Sequence, residues 1–387
     1  MERFELIVVG GGMVGASLAL KVAMSGVRVA LIEKRPPAEF EPSSPCGLRV
    51  SALNRSSESL LDTVGAWPEL MAMRSHCYRR LSVWQQGGSR TDFDASEVGE
   101  AHLGYLVEND LIQRALWNAL EQSNVALYTP DSVVELAQES SACHLKLASG
   151  AVLQGALVVA ADGADSKMRS LAGIGVTGWD YQQHALVVAV KLQQPAPDIT
   201  WQSYVESGPR AFLPLADEQA SLVWYHYPHE VKRLRSMAPL KLAEAVREAF
   251  PDDLPEFEIL NQSSFPLKRQ HANHYVSGRV VLVGDAAHVI NPMAGQGVNL
   301  GFQDVIALSE QLAAVQPEEW PQATQTYERK RRGANLLMMS TMDGLYATFG
   351  SDKMPLRILR SVGLWAANRA TPLKASALRY AMGLPLI

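Results

Sequence analysis

Leu6-Ile-Val-Val-Gly10-Gly-Gly12-Met-Val-Gly15 is the stretch on which the fold turns. The run Leu6 to Val9 is apolar on both faces, so it reads as a buried parallel strand and not as a half-exposed edge. Val14 to Met24 continues in small and apolar residues without proline, and Gly26 supplies the left-handed stop of a helix C-terminus. Val27 to Glu33 reads as a second strand that ends in an acid. In this strand–turn–helix setting the G-x-G-x-x-G spacing has a physical meaning. Gly10 permits the tight turn, Gly12 lets a pyrophosphate approach the backbone, and Gly15 allows helix and strand to pack closely. Glu33 is placed to accept hydrogen bonds from an adenosine ribose. The pattern therefore predicts a dinucleotide cradle, the alternative being a glycine-rich turn without a ligand.

A second match, Gly173-x-Gly175-x-x-Gly178, lies in the wrong order. It follows a short helix near Lys167 to Leu171 and precedes a strand near His184 to Leu192, so no helix N-terminus would face a phosphate. It is expected to be a loop, which leaves one cradle.

The chain has 387 residues, 47% hydrophobic and 19% charged, which excludes a disordered, collagen-like or extended coiled-coil protein. That length favours one large domain plus a smaller partner. The net charge of −5 gives no global sign of nucleic-acid binding, but charge is uneven. From Arg329 onward ten basic residues face only Asp343 and Asp352, so the tail carries +8. Cys46, Cys77 and Cys143 are odd in number and widely spaced, which suits a reducing compartment and supports neither a disulfide framework nor a metal site. The uncharged stretch from Leu6 to Leu20 holds four glycines and follows mixed charges, so it is expected to be neither a signal peptide nor a spanning helix. A cytoplasmic protein, peripheral at most on a membrane, is the expectation.

Two later segments sharpen the reading. Ala156 to Ala161 is an apolar strand running into Asp162-Gly163-Ala-Asp-Ser166-Lys-Met-Arg169. Arg279 to Val283 is another, ending in Gly284-Asp285-Ala-Ala-His288 and then Asn291-Pro292-Met-Ala-Gly295-Gln296-Gly297-Val298-Asn299. A carboxylate at a strand end can accept a hydrogen bond from a polyol hydroxyl. The glycine turn after it opens a helix, Val298 to Leu312, whose first amides would face a developing anion.

Together these four features resemble the flavin-dependent aromatic hydroxylases of the p-hydroxybenzoate hydroxylase fold. Leu48-Arg49-Val-Ser-Ala-Leu53 and Pro209-Arg210-Ala-Phe-Leu-Pro214 are similar to the branch that hydroxylates ubiquinone precursors, as are Cys77 to Arg80 and Leu222 to Tyr225. The resemblance implies an α/β fold: a Rossmann-like FAD-binding domain, a second β-rich (α+β) substrate domain and C-terminal helices. The FAD domain would comprise 1–70, 101–180 and 272–330, the substrate domain 71–100 and 181–271, and the basic helical region 331–387.

It also implies roles. Gly10, Gly12, Met13, Val14 and Gly15 would hold the FAD pyrophosphate, and Glu33 the adenosine ribose. Arg49 would reach the pyrophosphate or flavin, and Glu108 the ribityl chain. Asp162 and Gly163 would lie near the pyrophosphate. Asp285 would bind the ribityl chain, Pro292 would flank the reactive edge of the isoalloxazine, and Gly295, Gln296, Gly297, Val298 and Asn299 would bind its pyrimidine end. Relatives often carry an acid where this chain has Gly47.

Hydroxylating a ring with O2 needs a two-electron carrier that no side chain provides. NAD(P)H, either NADPH or NADH, would reduce the FAD. O2 would add at the flavin C4a, and the hydroperoxide would attack a polyprenylated benzoquinol. A reductase on the same fold and a non-catalytic flavoprotein within a biosynthetic assembly are the competing readings.

In the β-rich region, period-2 alternation puts Trp224 and His226 on one face of a strand and Val223, Tyr225 and Tyr227 on the other. Phe212, Pro214, Trp224 and Tyr225 are candidates to wall a quinol pocket, with sheet packing as the alternative. His226 is a candidate general base, although a lone strand histidine is also commonly just exposed or hydrogen-bonded. His288 reads as structural. The basic tail mixes Leu336 to Met339, Leu364-Trp365 and Leu378 with its arginines, which suits an anionic bilayer, other ubiquinone-biosynthesis proteins, or packing on the FAD domain.

Overall fold

The strand Glu2–Val9 runs through the parallel core of a mixed eight-stranded sheet, with Leu6, Ile7 and Val8 completely buried. Val152–Ala160 lies on one side, pairing Leu6 with Leu157, and Val29–Ile32 on the other, pairing Leu6 with Val29. Val280–Leu282 and Ala126–Tyr128 extend the sheet, again in parallel. Both faces are apolar because helices cover the sheet. Met13–Ala23 packs against Asn109–Glu121 and against Gly297–Ala313. The structure, a computed structural model, describes residues 1–86, 88–291, 295, 297–349 and 371–384. Pro292 and Gln296, and in the tail Lys353, Arg357, Arg360, Leu364, Trp365 and Arg369, lie outside the described residues.

A second sheet also has eight strands. Its pairings are antiparallel except that Ile199–Val205 runs parallel to Arg80–Gln85. Alternation gives it two different faces. On one, Trp201, Phe212, Leu222 and Trp224 pack against Val231, Leu234, Leu242 and Val246 from the helices Pro228–Arg235 and Pro239–Ala249. On the other, Ala185, Tyr204, Tyr225 and Leu267 meet Met342 and Tyr346 of the long helix Trp320–Phe349. A three-stranded sheet, Val50–Asn54, Gly104–Glu108 and His76–Tyr78, completes the architecture. Within 71–100, therefore, Arg80–Gln85 and Arg90–Asp94 join the large antiparallel sheet while His76–Tyr78 does not.

The fold is mixed α/β, as expected, but the second glycine match is not the loop that the sequence suggests. Val176–Leu192 begins well before His184, so Gly178 lies inside a strand and not in a loop. A Cβ there would sit 2.1 Å from the Arg269 carbonyl oxygen, so the glycine marks close strand contact and not a turn. No helix starts after this match, and it cradles nothing. For the described part of the tail, the structure shows packing on the protein, one of the readings left open by the sequence. Helix Thr371–Ala381 folds back on the body: Leu378 and Met382 are buried in a cluster with Leu103, Leu106 and Leu215, and Lys374 pairs with Glu97 at 2.8 Å. Leu378 thus faces the protein and not a bilayer. Among the described residues no helix is long and apolar enough to cross a membrane.

Because Leu378 is buried in that cluster, Leu378→Ala is expected to cost ~2–4 kcal/mol and to lower the thermal unfolding midpoint. An unchanged melting curve would show that the helix does not dock in solution.

Candidate active site

The first turn is built by close approach. Gly10 has φ +105°, and a Cβ on it would lie 2.4 Å from the Ala161 carbonyl oxygen at the end of the neighbouring strand. A Cβ on Gly15 would lie 1.9 Å from the Gly10 carbonyl oxygen. Only glycine closes this turn. Gly12 is the opposite case: a Cβ on it would meet nothing within 4 Å, and as N-cap of the helix Met13–Ala23 it provides no side-chain cap. The first helical amides are left as uncapped donors beside open space, the arrangement a pyrophosphate requires. The back of the turn is pinned by Trp117 Nε1 and Gln113 Nε2, which donate to the Gly11 carbonyl at 2.7 and 2.9 Å. Glu33 Oε2 accepts from the Gly11 amide at 2.5 Å, and Oε1 from the Arg35 amide at 2.7 Å. Glu33 therefore shapes the turn it would serve.

The distant Gly284–His288 box packs directly on this turn. Val14 methyls would lie 3.2 Å from a Cβ on Gly284, and Val14 Cγ2 2.6 Å from one on Gly301. Val14 is thus a packing wedge between the turn, the box and the helix Gly297–Ala313. Asp285 is reached by solvent through the cleft yet hemmed in by protein. That desolvation raises its carboxyl above the ordinary range, against the opposing charges of His288 and Arg49. Arg49 is exposed, with its charge felt at Asp285 across the cleft.

Other expected ligands are engaged in holding the chain. Asp162 accepts from Ser166 Oγ at 2.5 Å and from the Met168 amide at 2.9 Å, so its carboxylate organises its own segment, where Gly163 takes φ +82°. Glu108 Oε1 is buried against Arg74 Nη2 at 2.9 Å and the Gly47 amide at 2.7 Å. Gly47 lies beside Asp110 and Glu108, where an acidic side chain would add a third carboxylate. Asn299 donates to Ala52 O at 2.8 Å and accepts from Ser57 Oγ at 2.6 Å and the Asn54 amide at 3.2 Å. It ties the helix Gly297–Ala313 to the small sheet, and Gly295, with φ +62°, packs against Ala52.

The substrate candidates divide by face. Phe212 is fully buried and stacked on Trp201, and Trp224 packs edge-on to Phe250. Both lie under the helices, and Pro214 shares the Phe212 side of its strand by alternation. His226 is also on that side, its Nδ1 accepting from the Tyr227 amide at 2.8 Å, and burial lowers its pKa. These four residues lie on the helix-covered face of the sheet, opposite the face that approaches Asn291, and are therefore misplaced as pocket walls. Tyr225 is on that opposite face: its hydroxyl donates to Asn291 Oδ1 at 3.2 Å, directly before Pro292. On the same face a cavity of about 290 Å3 opens between Tyr181, Tyr204, Gly208, Pro209, Tyr227 and Tyr346.

Sequence reasoning missed the residues that knit these parts together. Arg169 donates from Nη1 to Ala286 O and from Nη2 to Ala164 O, both at 2.9 Å, joining the Asp162 segment to the box. Asp304, completely buried, accepts from His288 Nε2 at 2.5 Å, Arg331 Nε at 2.7 Å and the Gly284 amide at 3.1 Å. A signal existed: Asp304 sits four residues from both Leu300 and Leu308 on a buried helix stripe, where an acid needs a partner. Burial alone would raise its carboxyl, but His288 and Arg331 outweigh it and pull it down to about 2. Next to it, His271 Nε2 meets Tyr275 Oη at 2.9 Å. Burial, with repulsion from His288 and Arg332, pushes this imidazole down to about 4.

A histidine with a depressed pKa is protonated more readily in the unfolded chain. Its contribution is complete above pH ~6.5 and is lost progressively as pH falls toward 4, with a limiting slope of about 1.4 kcal/mol per pH unit. Denaturant unfolding across this window should show the decline, and His271→Gln should flatten it; an identical profile in the variant would assign the slope to other groups.

A family model described as an FAD binding domain matches residues 3–340. Over 385 residues, 98% of both chains, the sequence is 44% identical to 3-demethoxyubiquinol 3-hydroxylase of Escherichia coli (strain K12). It is 31% identical to the mitochondrial ubiquinone biosynthesis monooxygenase COQ6 of Homo sapiens, over 98% of this chain and 92% of the relative. The crystal structure of p-nitrophenol 4-monooxygenase PnpA from Pseudomonas putida DLL-E4 superimposes with a TM-score of 0.81 at 21% identity, covering all of both chains. PqsL from Pseudomonas aeruginosa, described as a probable FAD-dependent monooxygenase, gives 0.80 at 22% identity over 94% of this chain and 100% of its own.

Proposed function

From the premise that the chain belongs to the FAD binding domain family, matched over residues 3–340, we propose that it hydroxylates the ring of a polyprenylated benzoquinol in ubiquinone biosynthesis. It is an FAD-dependent monooxygenase that uses NAD(P)H and O2, and the demethoxyubiquinol hydroxylase and the ubiquinone biosynthesis monooxygenase that it resembles each match over 98% of it. The observation that carries the reading is the contact between the Gly10–Gly15 turn and the Gly284–His288 box. It leaves an uncapped helix start and the solvent-reached carboxylate of Asp285 together at one cleft.

In that cleft the amides after Gly12 would bind the pyrophosphate, Glu33 the adenosine ribose and Asp285 the ribityl hydroxyls. Arg49 would supply positive charge beside the phosphates. When bound, FAD supplies the electron transfer and oxygen activation that side chains lack. The protein contributes orientation and dryness. Leu213 and Leu215 of the large sheet meet Val50, Ala52 and Leu106 of the small one in a single apolar cluster, which limits water at the ring. Tyr225 and the tyrosine-lined cavity lie on the face that would receive the quinol, and the cavity suits the start of its apolar tail.

The substrate's prenyl chain belongs in lipid, and the outer side of the helix Trp320–Phe349 has a matching character. Leu337 is 65% exposed and Leu336 42%, near exposed Arg329 and Lys330. Peripheral contact with an anionic membrane through this face, or with other ubiquinone-biosynthesis proteins, completes the proposal.

Two measurements test these readings. Turnover with labelled O2 and a prenylated quinol should place one labelled oxygen on the ring; reduced product without label would instead indicate a flavin reductase. Leu337→Glu should reduce co-sedimentation with vesicles containing anionic lipid several-fold, and equal sedimentation of the variant would remove the membrane assignment.

A further inference from the structure

The Asp304 carboxylate is the point where two helices, its own Gly297–Ala313 and Trp320–Phe349, meet the cofactor box. Oδ2 accepts from the Gly284 amide at 3.1 Å and from His288 Nε2 at 2.5 Å, the two ends of the segment that carries Asp285. Oδ1 accepts from Arg331 Nε at 2.7 Å and Asn335 Nδ2 at 3.2 Å, both on the helix Trp320–Phe349. Asn335 also donates to Tyr275 Oη at 3.2 Å, and Tyr327 Oη of the same helix donates to Leu282 O at 2.9 Å, just before the box. Asp304, Asn335 and Tyr275 are fully buried, and His288 is 2% exposed. Every acceptor site used on this carboxylate is filled by protein, so the group has no capacity left for a ligand.

Gly284 takes φ +58°, so the box opens on a backbone conformation that must be held by its surroundings. The Asp304 bond to the Gly284 amide fixes that residue, and the bond to His288 fixes the other end of the box. Asp285 projects from between these two anchors. Arg331, one of the ten basic residues of the tail, is turned inward as counter-charge to this clamp and is not available to a membrane.

We infer that Asp304 is a positioning residue for the cofactor. It clamps Gly284 and His288 so that Asp285 is held over the cleft, and Arg331 and Asn335 make the C-terminal helix part of the FAD site. The inference rests on FAD binding at this cleft. It assigns to the helix a dependence in both directions: weakening the clamp loosens FAD, and bound FAD stabilises the helix against the body.

The test is release of FAD from purified holoenzyme on dilution, followed by flavin fluorescence, with circular dichroism to establish that each variant is folded. Asp304→Asn keeps the size of the side chain but cannot accept from both Gly284 and His288 while also accepting from Arg331 and Asn335. Its FAD dissociation constant should rise at least ~10-fold, or about 1.4 kcal/mol. His288→Ala removes one anchor and should weaken FAD similarly, whereas His288→Gln, whose amide can still donate to Asp304, should stay within ~3-fold of wild type. If Asp304→Asn does not fold, the His288 pair carries the test alone. Folded Asp304→Asn or His288→Ala that retains FAD as tightly as wild type would overturn the inference, as would a glutamine variant that is no better than alanine. Wild-type protein that fails to retain FAD would contradict the cofactor assignment itself, a different outcome.

Discussion

Between the carbonyl oxygen of Gly10 and the α-carbon of Gly15 there is room for a hydrogen atom and little else, since a Cβ would stand 1.9 Å from that oxygen. This contact lets the chain pass from the central strand Glu2–Val9 straight into the helix Met13–Ala23. The helix start is thereby held over the strand ends, where the uncapped amides face open space at Gly12. Everything that converges on the cleft is positioned relative to this turn. Val14 projects from it into Gly284 and Gly301, two more positions without a Cβ, so box, turn and helix Gly297–Ala313 approach more closely than ordinary side chains would permit.

Charge burial supplies the second constraint. A carboxylate as deeply buried as Asp304 is costly unless its lone pairs are filled, and here they are filled by an arginine, a histidine, an amide side chain and a backbone N–H. Arg169 and Arg74 work in the same way, each satisfying carbonyls or a carboxylate from segments distant in sequence. Such clusters are satisfied in one arrangement only. They specify how the segments meet, while the apolar core beneath them supplies most of the burial.

The large antiparallel sheet packs differently on its two faces. Trp201, Phe212 and Trp224 anchor helices on one side; Tyr204 and Tyr225 stand on the other, where Asn291 and the long helix approach. A residue's place in the strand pleat therefore decides whether it packs under the helices or stands on the side of Asn291. Alternation shows correctly that Trp224 and Tyr225 point to opposite sides. Which side is covered by helices depends on where Pro228–Arg235 and Pro239–Ala249 pack, and no period in the strand records that.

The parallel strand, the glycine turn, the first helix and the box at Gly284 are all legible in the linear order of residues, because each is a local consequence of side-chain size, period or missing Cβ. Gly178 misleads for the same reason: a glycine facing a neighbouring backbone looks identical in sequence to one in a turn. The polar side chains of Glu108, Asp162 and Asn299 stand out in the sequence, but their engagement with other parts of the chain does not, since a hydrogen-bond partner tens or hundreds of residues away leaves no local trace. By itself the sequence determined a dinucleotide fold with one cradle. Only the tertiary structure decided which carboxylates remain open to a ligand, which face of the sheet looks into the cleft, and that Arg331 and Leu378 turn inward, because these depend on long-range desolvation and packing between segments that meet only after folding.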